Sequence, residues 1–267
     1  MKKLLILTAA FTMLFACKKE TSDKETTDIL DVQEKNMGVY AVRTATWCEP
    51  CGNSMNGTQD NMTNQLVIGN AVPMAFKDAF IDQNNQPHSD WGNYLFDEVR
   101  TKFDLAPSVP HTFYNFSQSS VGEHVLDTVI VSGNYNIDFD GNKMTIKTTT
   151  KFFKDYLGDV YLTPFVIVNN LVGFQSGHPD SPTTASPNTV HKHFVADVAY
   201  PTNFKPEDKH EWGYRVAAGQ LRRGQNINME FTLDKKPHWA NNNISIVMVY
   251  FRKVNNDFLF LNAFTKQ

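Results

Sequence analysis

Two of the chain's three cysteines, Cys48 and Cys51, stand one helical turn apart in Ala45-Thr46-Trp47-Cys48-Glu49-Pro50-Cys51-Gly52. Three chemistries fit such a pair: a dithiol that exchanges with other disulfides, part of a metal site, or a structural cross-link. Zinc asks for about four ligands, and a single Cys-x-x-Cys supplies two, so no metal is expected. A disulfide across so short a loop removes little chain entropy and is a weak staple. A working dithiol and an inert disulfide both stay open.

The elements around the pair decide how it would be presented. Met37-Gly38-Val39-Tyr40-Ala41-Val42-Arg43-Thr44-Ala45 reads as a short strand of β-branched and apolar residues running into the motif. A helix is expected after it over NSMNGTQDNMTNQLV, with Met55, Met62 and Leu66 inward. Strand, motif and helix together place Cys48 at a helix start, where unpaired N–H groups and the helix dipole favour a thiolate. Cys48 is then the nucleophile, and Cys51, one turn further in, is the shielded resolving thiol. AVPMAF reads as a second strand, and SDWGNYLFDEVRTKF as a helix with a Ser/Asp cap and Trp91, Leu95, Phe96 and Val99 on one face. APSVPHTFYNF is a proline-bounded turn followed by a strand.

The stretch TATWCEPCG resembles the active site of the thioredoxin superfamily. That superfamily's second hallmark is a cis-proline opposite the dithiol, and Ser108-Val109-Pro110-His111-Thr112-Phe113 stands in the corresponding order. The resemblance covers roughly residues 37 to 118 and implies that Pro110 is cis and positions substrate backbone beside the sulfurs. It assigns supporting places to Trp47, Glu49, Pro50 and Val109. It departs at Val42, six positions before Cys48, where thioredoxins often carry a buried aspartate that accepts a proton. No carboxylate is then expected to serve Cys51. Glu49 disfavours a thiolate on charge grounds and so opposes the helix dipole.

The first residues, MKKLLILTAAFTMLFAC, combine a basic start with an apolar run shorter than the roughly 20 residues of a membrane span. They read as a secretion signal over residues 1–16. Leu14-Phe15-Ala16-Cys17 resembles the lipobox of bacterial lipoproteins, which implies lipidation of Cys17 and a membrane anchor. Residues 17–36, rich in charge and threonine, are expected to be the lipidated cysteine and a flexible tether. Export implies an oxidising compartment. A net charge of -3 without basic runs speaks against a nucleic-acid partner.

Beyond residue 120 the texture turns to β. HVLDTVIVSG, YNIDFDGNKMTIKTTTKF, VYLTPFVIVNNLV, HKHFVADVAY, NINMEFTL, NISIVMVYFR and FLFLNAF have strand lengths and are separated by Gly, Asn, Asp and Pro. They suggest a sandwich. GFQSGHPDSPTTASPN and PTNFKPEDKHEWG are long loops of the kind that is often functional. His191 and His193, two apart on an expected strand, would share a face, yet no third ligand is evident. His178 and His238 are read as loop hydrogen-bonding residues, and Trp212 and Trp239 as packing at sandwich ends. No serine nucleophile elbow, phosphate loop or HExxH motif occurs.

The expected fold class is therefore an α/β thioredoxin-like N-terminal domain over residues 37–120 followed by an all-β sandwich domain over residues 121–267. This layout resembles the outer-membrane-protein-twenty-eight-related lipoproteins of Bacteroidota, with Val190-His191-Lys192-His193-Phe194-Val195 and Glu211-Trp212-Gly213 as further points of similarity. Two functions follow. One is thiol–disulfide exchange on the thiols or disulfides of exported proteins at the outer membrane, with no cofactor. The other is a non-catalytic lipoprotein whose sandwich binds an outer-membrane complex or a glycan.

Overall fold

The computed structural model describes residues 29–78, 80–81, 87–89, 94–117, 128–178, 189–202 and 212–266. The expected signal segment, Cys17, most of the tether and Trp91 lie outside them.

Gly38–Ala45 forms β1, whose Val, Tyr and Thr side chains suit a pleated surface. It pairs parallel with β2 (Ala71–Asp78) and antiparallel with β3 (His111–Tyr114). A parallel pair needs a crossover, and α1 (Glu49–Val67) supplies it. Side chains alternate across β1: Val42 meets Met62 of α1 and Ala75 of β2, whereas Val39 and Ala41 face the other way. On that second side lies α2 (Leu95–Lys102), burying Leu95, Phe96 and Val99. The expected Ser/Asp cap does not start this helix. Its N-cap is Tyr94, without a side-chain bond, and Ser89 belongs to a short ladder between Phe80–Ile81 and Pro87–Ser89.

The β-rich remainder forms two packed layers. β4 (Val131–Asp140) and β5 (Lys143–Phe152) make a hairpin in which Asp140 pairs with Lys143. The turn is thus Gly141-Asn142, with Gly141 at φ 57° in the first position, where a II′ turn wants glycine. With β11 (Asn226–Asp234) on β5 and Tyr200–Pro201 beyond it, they complete a four-stranded sheet. The facing sheet contains β6 (Val160–Val168), β9 (Phe194–Val198), β10 (Tyr214–Ala217), β12 (Ile244–Val254) and β13 (Asp257–Phe264). Along β6 the side chains divide by parity: Val160, Leu162, Val166 and Val168 fill the sandwich interior, and Phe165 and Ile167 point to the opposite face.

That large sheet does not stop at the sandwich. Its order is β13-β12-β6-β9-β2-β1-β3, with β10 also on β6. The join is parallel pairing of β9 with β2 through Phe194 and Ala75, and the Ala75 amide donates to the His193 carbonyl at 2.7 Å. The core follows the sheet, since Phe113 meets Phe76 and Phe116, both of these meet Phe165, and Phe116 also meets Trp212 and Phe251. The two expected sets of strands therefore share one sheet and the aromatic core on one of its faces, while the sandwich keeps its own interior on the other. The physical reason is the free edge of β2, which β9 covers. The boundary expected at residues 120 and 121 falls within residues 118–127, outside the described ones.

A single buried amide stitches this sheet to its ends. Asn262 of β13, 1% exposed, accepts from the Met37 and Ala263 amides through Oδ1 and donates through Nδ2 to the Lys35 and Val131 carbonyls, all at 2.7–2.9 Å. Asn262→Leu takes the side-chain partner from the Met37 amide and the Lys35 and Val131 carbonyls, while the Ala263 amide keeps its bond to the Met37 carbonyl at 3.0 Å. It is expected to lower stability by about 3 kcal/mol, read as a shifted urea midpoint at unchanged slope.

Candidate dithiol site

β1 ends in a turn in which the Cys48 amide donates to the Ala45 carbonyl at 3.2 Å. Cys48 is the N-cap of α1, and its Sγ accepts from the Cys51 amide at 3.2 Å. Pro50 sits in the first turn, where its missing N–H is no loss. The two sulfurs are bonded at 2.08 Å with Cα atoms 5.2 Å apart. Val109 packs against Ala45, Cys48 and Cys51, and the Val109-Pro110 bond is cis. Trp47 is 45% exposed and donates from Nε1 to Asp78 Oδ2 at 3.2 Å. The structure thus brings Cys48, Cys51, Val109, Pro110 and Trp47 together, with Glu49 and Pro50 on the exposed start of the helix.

Unlike an open dithiol, this pair is closed in. Cys48 is 4% exposed and Cys51 3%. β7 (Leu171–Gly173) and β8 (Thr189–His191) form a hairpin beside α1, and residues 174–178 leaving β7 lie on the motif as a strap. The Ser176 amide donates to the Thr46 carbonyl at 2.8 Å, and Gln175, fully buried, donates from Nε2 to the carbonyls of Ala45 at 3.0 Å and Cys48 at 3.2 Å. His178, 4% exposed, bonds Asn56 Oδ1 through Nε2 at 3.2 Å. The approach is close enough that a Cβ on Gly52 would lie 1.9 Å from the Ser176 carbonyl oxygen, and one on Gly177 2.4 Å from that of Glu49. Further along the same stripe, Gln59 accepts from the Lys192 amide at 3.0 Å and Thr63 bonds His193 Nε2 at 3.0 Å.

Behind Cys51 lies a cavity of about 20 Å³ lined by Val42, Cys51, Met62, Lys77 and Pro110 among others. Lys77 is 3% exposed, and burial pushes its ammonium down to about 7. His191, fully buried on β8, is held well below the usual histidine range by burial and then by Lys77, so it is neutral.

The expected face-sharing of His191 and His193 does not occur. β8 ends at His191, and His193 is a left-handed residue at φ 57°, which breaks the strand's two-residue alternation. His193 turns instead to α1, and burial followed by the Lys192 charge pushes it down to about 4. Among the described residues no group of three or more His, Cys, Asp or Glu is placed to hold a metal ion. Trp212 and Trp239 are buried, one in each core, and His238 packs edge-on to Trp239. Sequence reasoning missed Gln175, Gly52 and Lys77. Gly52 had a signal, a glycine in a helix's first turn beside a motif. Lys77 had one as well, a lysine closing an otherwise apolar strand.

Gly52→Ala is expected to lift the strap, accelerating reduction of the disulfide by a water-soluble phosphine about tenfold or more and lowering stability by about 1–3 kcal/mol. Gly57 has open space around it, so Gly57→Ala, gaining about 0.5–1 kcal/mol in the same helix, is the control. Equal reduction rates in the two variants would show that the strap does not guard the sulfurs. The histidines set an acid limit. The folded His193 binds its proton near 4 and an ordinary histidine near 6.5, so the unfolded chain protonates first and stability falls as pH drops through that window. His193→Asn, which tolerates the left-handed backbone, should flatten that part of the pH–stability curve measured by urea unfolding.

No family model and no curated protein sequence matches the chain. Solved structures similar to the chain include the following three. HBP35 of Porphyromonas gingivalis is 13% identical with a TM-score of 0.59, over 88% of this chain and 76% of that one. A structural-genomics protein from Agrobacterium tumefaciens is 11% identical with a TM-score of 0.49, over 87% and 95%. A domain of the outer membrane lipoprotein Omp28 from Porphyromonas gingivalis is 7% identical with a TM-score of 0.27, over 52% and 88%. What this chain shares with HBP35 is the fold.

Proposed function

We propose that the chain is a lipid-anchored thiol–disulfide protein of the cell envelope, with Cys17 as the anchor, acting on thiols or disulfides of exported proteins at the outer membrane. The observation that carries this reading is the Cys48–Cys51 disulfide capping a helix N-terminus beside a cis Val109-Pro110 bond. A free helix terminus stabilises a sulfur anion at Cys48. A client thiolate attacks Cys48 Sγ, the Cys48–Cys51 bond breaks, and Cys51 leaves as a thiolate. A second client thiolate then attacks the client sulfur of the mixed disulfide, and Cys48 leaves in turn. Two electrons pass from client to protein, and the same steps reversed reduce a client disulfide. Pro110 lines the cavity at Cys51, in place to orient client backbone.

The burial of both sulfurs favours a second reading, in which the disulfide is structural and the sandwich binds an envelope complex or glycan. One measurement separates them. A soluble protein starting after Cys17 is equilibrated with glutathione and its thiols are counted by mass-shift labelling. A working pair falls between about -120 and -270 mV, and Cys51→Ser then accumulates mixed disulfides that Cys48→Ser does not. A potential below about -300 mV, with no trapped client, assigns the pair to structure.

A further inference from the structure

Lys77 is a buried ionisable group beside the dithiol that the exchange steps do not use. It is the last residue but one of β2 and shares the parity of Ala75, so its side chain runs under α1 toward the motif. At 3% exposure its ammonium is largely taken out of water, which is costly for a charge and lowers its pKa. It lines the same small cavity as Cys51, and that cavity of about 20 Å³ has room for one water. The remaining lining is telling. β1 contributes Val42 and Thr44, α1 contributes Ser54, Thr58 and Gln59, and the segment after β8 contributes Lys192. No carboxylate is among them. Lys192 is the other titratable side chain in the lining, and the Lys77 charge acts on His191, where it adds to burial in keeping that ring neutral.

We propose that Lys77 is the proton-exchange partner of Cys51, acting directly or through one water in the cavity they share. The inference rests on the reading that the Cys48–Cys51 pair turns over. When a client thiolate opens the disulfide, the departing Cys51 sulfur carries the negative charge, and the Lys77 ammonium stands beside it and can return a proton, leaving a thiol and a neutral amine. In the closing direction the neutral Lys77 amine takes the proton of the Cys51 thiol. The Cys51 sulfur attacks Cys48 Sγ, the Cys48–client bond breaks, and the client leaves as a thiolate that is protonated from solvent. Burial brings the amine near 7, so both forms are present at neutral pH and either direction has its donor or acceptor. Where Val42 leaves no carboxylate, an amine on the adjacent strand does the same work with the opposite charge.

The test begins with Cys51 alone. In Cys48→Ser protein the Cys51 thiol is titrated by its ultraviolet thiolate absorbance, with Lys77 present or replaced in Lys77→Met. With Lys77 the two groups titrate as a coupled pair. Lys77→Met is expected to raise the apparent Cys51 pKa by about one unit or more and leave a single step. Identical titrations would overturn the proposal. The second readout is single-turnover closure of the Cys48–glutathione mixed disulfide in the two-cysteine protein. Lys77→Met is expected to slow it about 100-fold at neutral pH and abolish its inflection near 7. Lys77→Arg keeps the charge without releasing a proton, so it should hold the Cys51 pKa low while closure stays slow; normal closure in that variant also counts against proton exchange. The outcomes separate. A shifted titration with no exchange in any variant retains the Lys77–Cys51 coupling and refutes turnover, whereas normal exchange with an unshifted titration retains turnover and refutes Lys77.

Discussion

The hydrogen bond from the Ala75 amide to the His193 carbonyl, 2.7 Å long, is the contact on which the arrangement of the site depends. It exists because His193 adopts φ 57°, a conformation that costs a non-glycine residue about 1–2 kcal/mol. Three bonds hold it there: the carbonyl to Ala75, the amide to Asn169 Oδ1 at 2.7 Å, and the ring to Thr63 Oγ1 at 3.0 Å. One residue thereby fixes β2, the turn after β6 and the C-terminal part of α1. With β9 pinned to β2, α1 has the β7–β8 hairpin as its lateral neighbour, and the strap leaving β7 has no other place to lie than on the motif. The burial of the sulfurs is a consequence of how two sheets became one.

Much of the first half was legible because its signals are local. Strand, Cys-x-x-Cys and helix follow one another without interruption from Gly38 to Val67, and periodicity at Met55 and Met62 places the helix face. The cis Val109-Pro110 bond was reachable only through resemblance, since nothing in APSVPHTFYNF distinguishes one proline isomer from the other. The β segments after residue 130 were recognisable by length and composition, and most of them are strands. Their assembly was not, because an alternating pattern says which face is buried but not which edge is joined. β2 is buried at seven of its eight residues, a pattern of burial on both faces that equally fits the middle of a small sheet or of a large one. The strap is the extreme case. Gln175 reaches Ala45 across 130 residues of sequence, and a glutamine in a Gly/Ser/Pro loop carries no mark of that destination.

On the buried side of the dithiol the charges are positive. The N-terminus of α1 presents partial positive charge to Cys48, and Lys77 and Lys192 line the cavity behind Cys51. The one acidic residue of the helix's first turn, Glu49, is exposed, so water and salt screen it. A carboxylate behind the resolving cysteine would raise its pKa and favour the neutral thiol, whereas a buried amine favours the thiolate. Stabilising the reduced anionic form makes a disulfide easier to reduce and therefore more oxidising. Val42 on β1 and Lys77 on β2 thus leave the pair with positive charge and no carboxylate behind it, which makes the disulfide easier to reduce.

A shielded disulfide is compatible with such chemistry only if the shield is cheap to move, and its composition bears on that. Residues 175–178 hold the motif through polar bonds: the Ser176 amide, the Gln175 amide group and the His178 ring. Each such bond is exchanged for one to water on opening, at a net loss of about 1 kcal/mol. Gln175, Ser176, Gly177 and His178 bring no large aliphatic side chain to the motif, so lifting them exposes little apolar surface. Phe174, at the root of the strap, is the apolar residue that stays anchored, at 8% exposure. The core beneath, built on Phe76, Phe113, Phe116 and Phe165, is of the opposite kind and opens only with the whole fold. Local opening at the strap therefore lies at the low end of the protein's range of opening energies, and Gly52, which admits the Ser176 carbonyl against the helix, sets how tightly it closes.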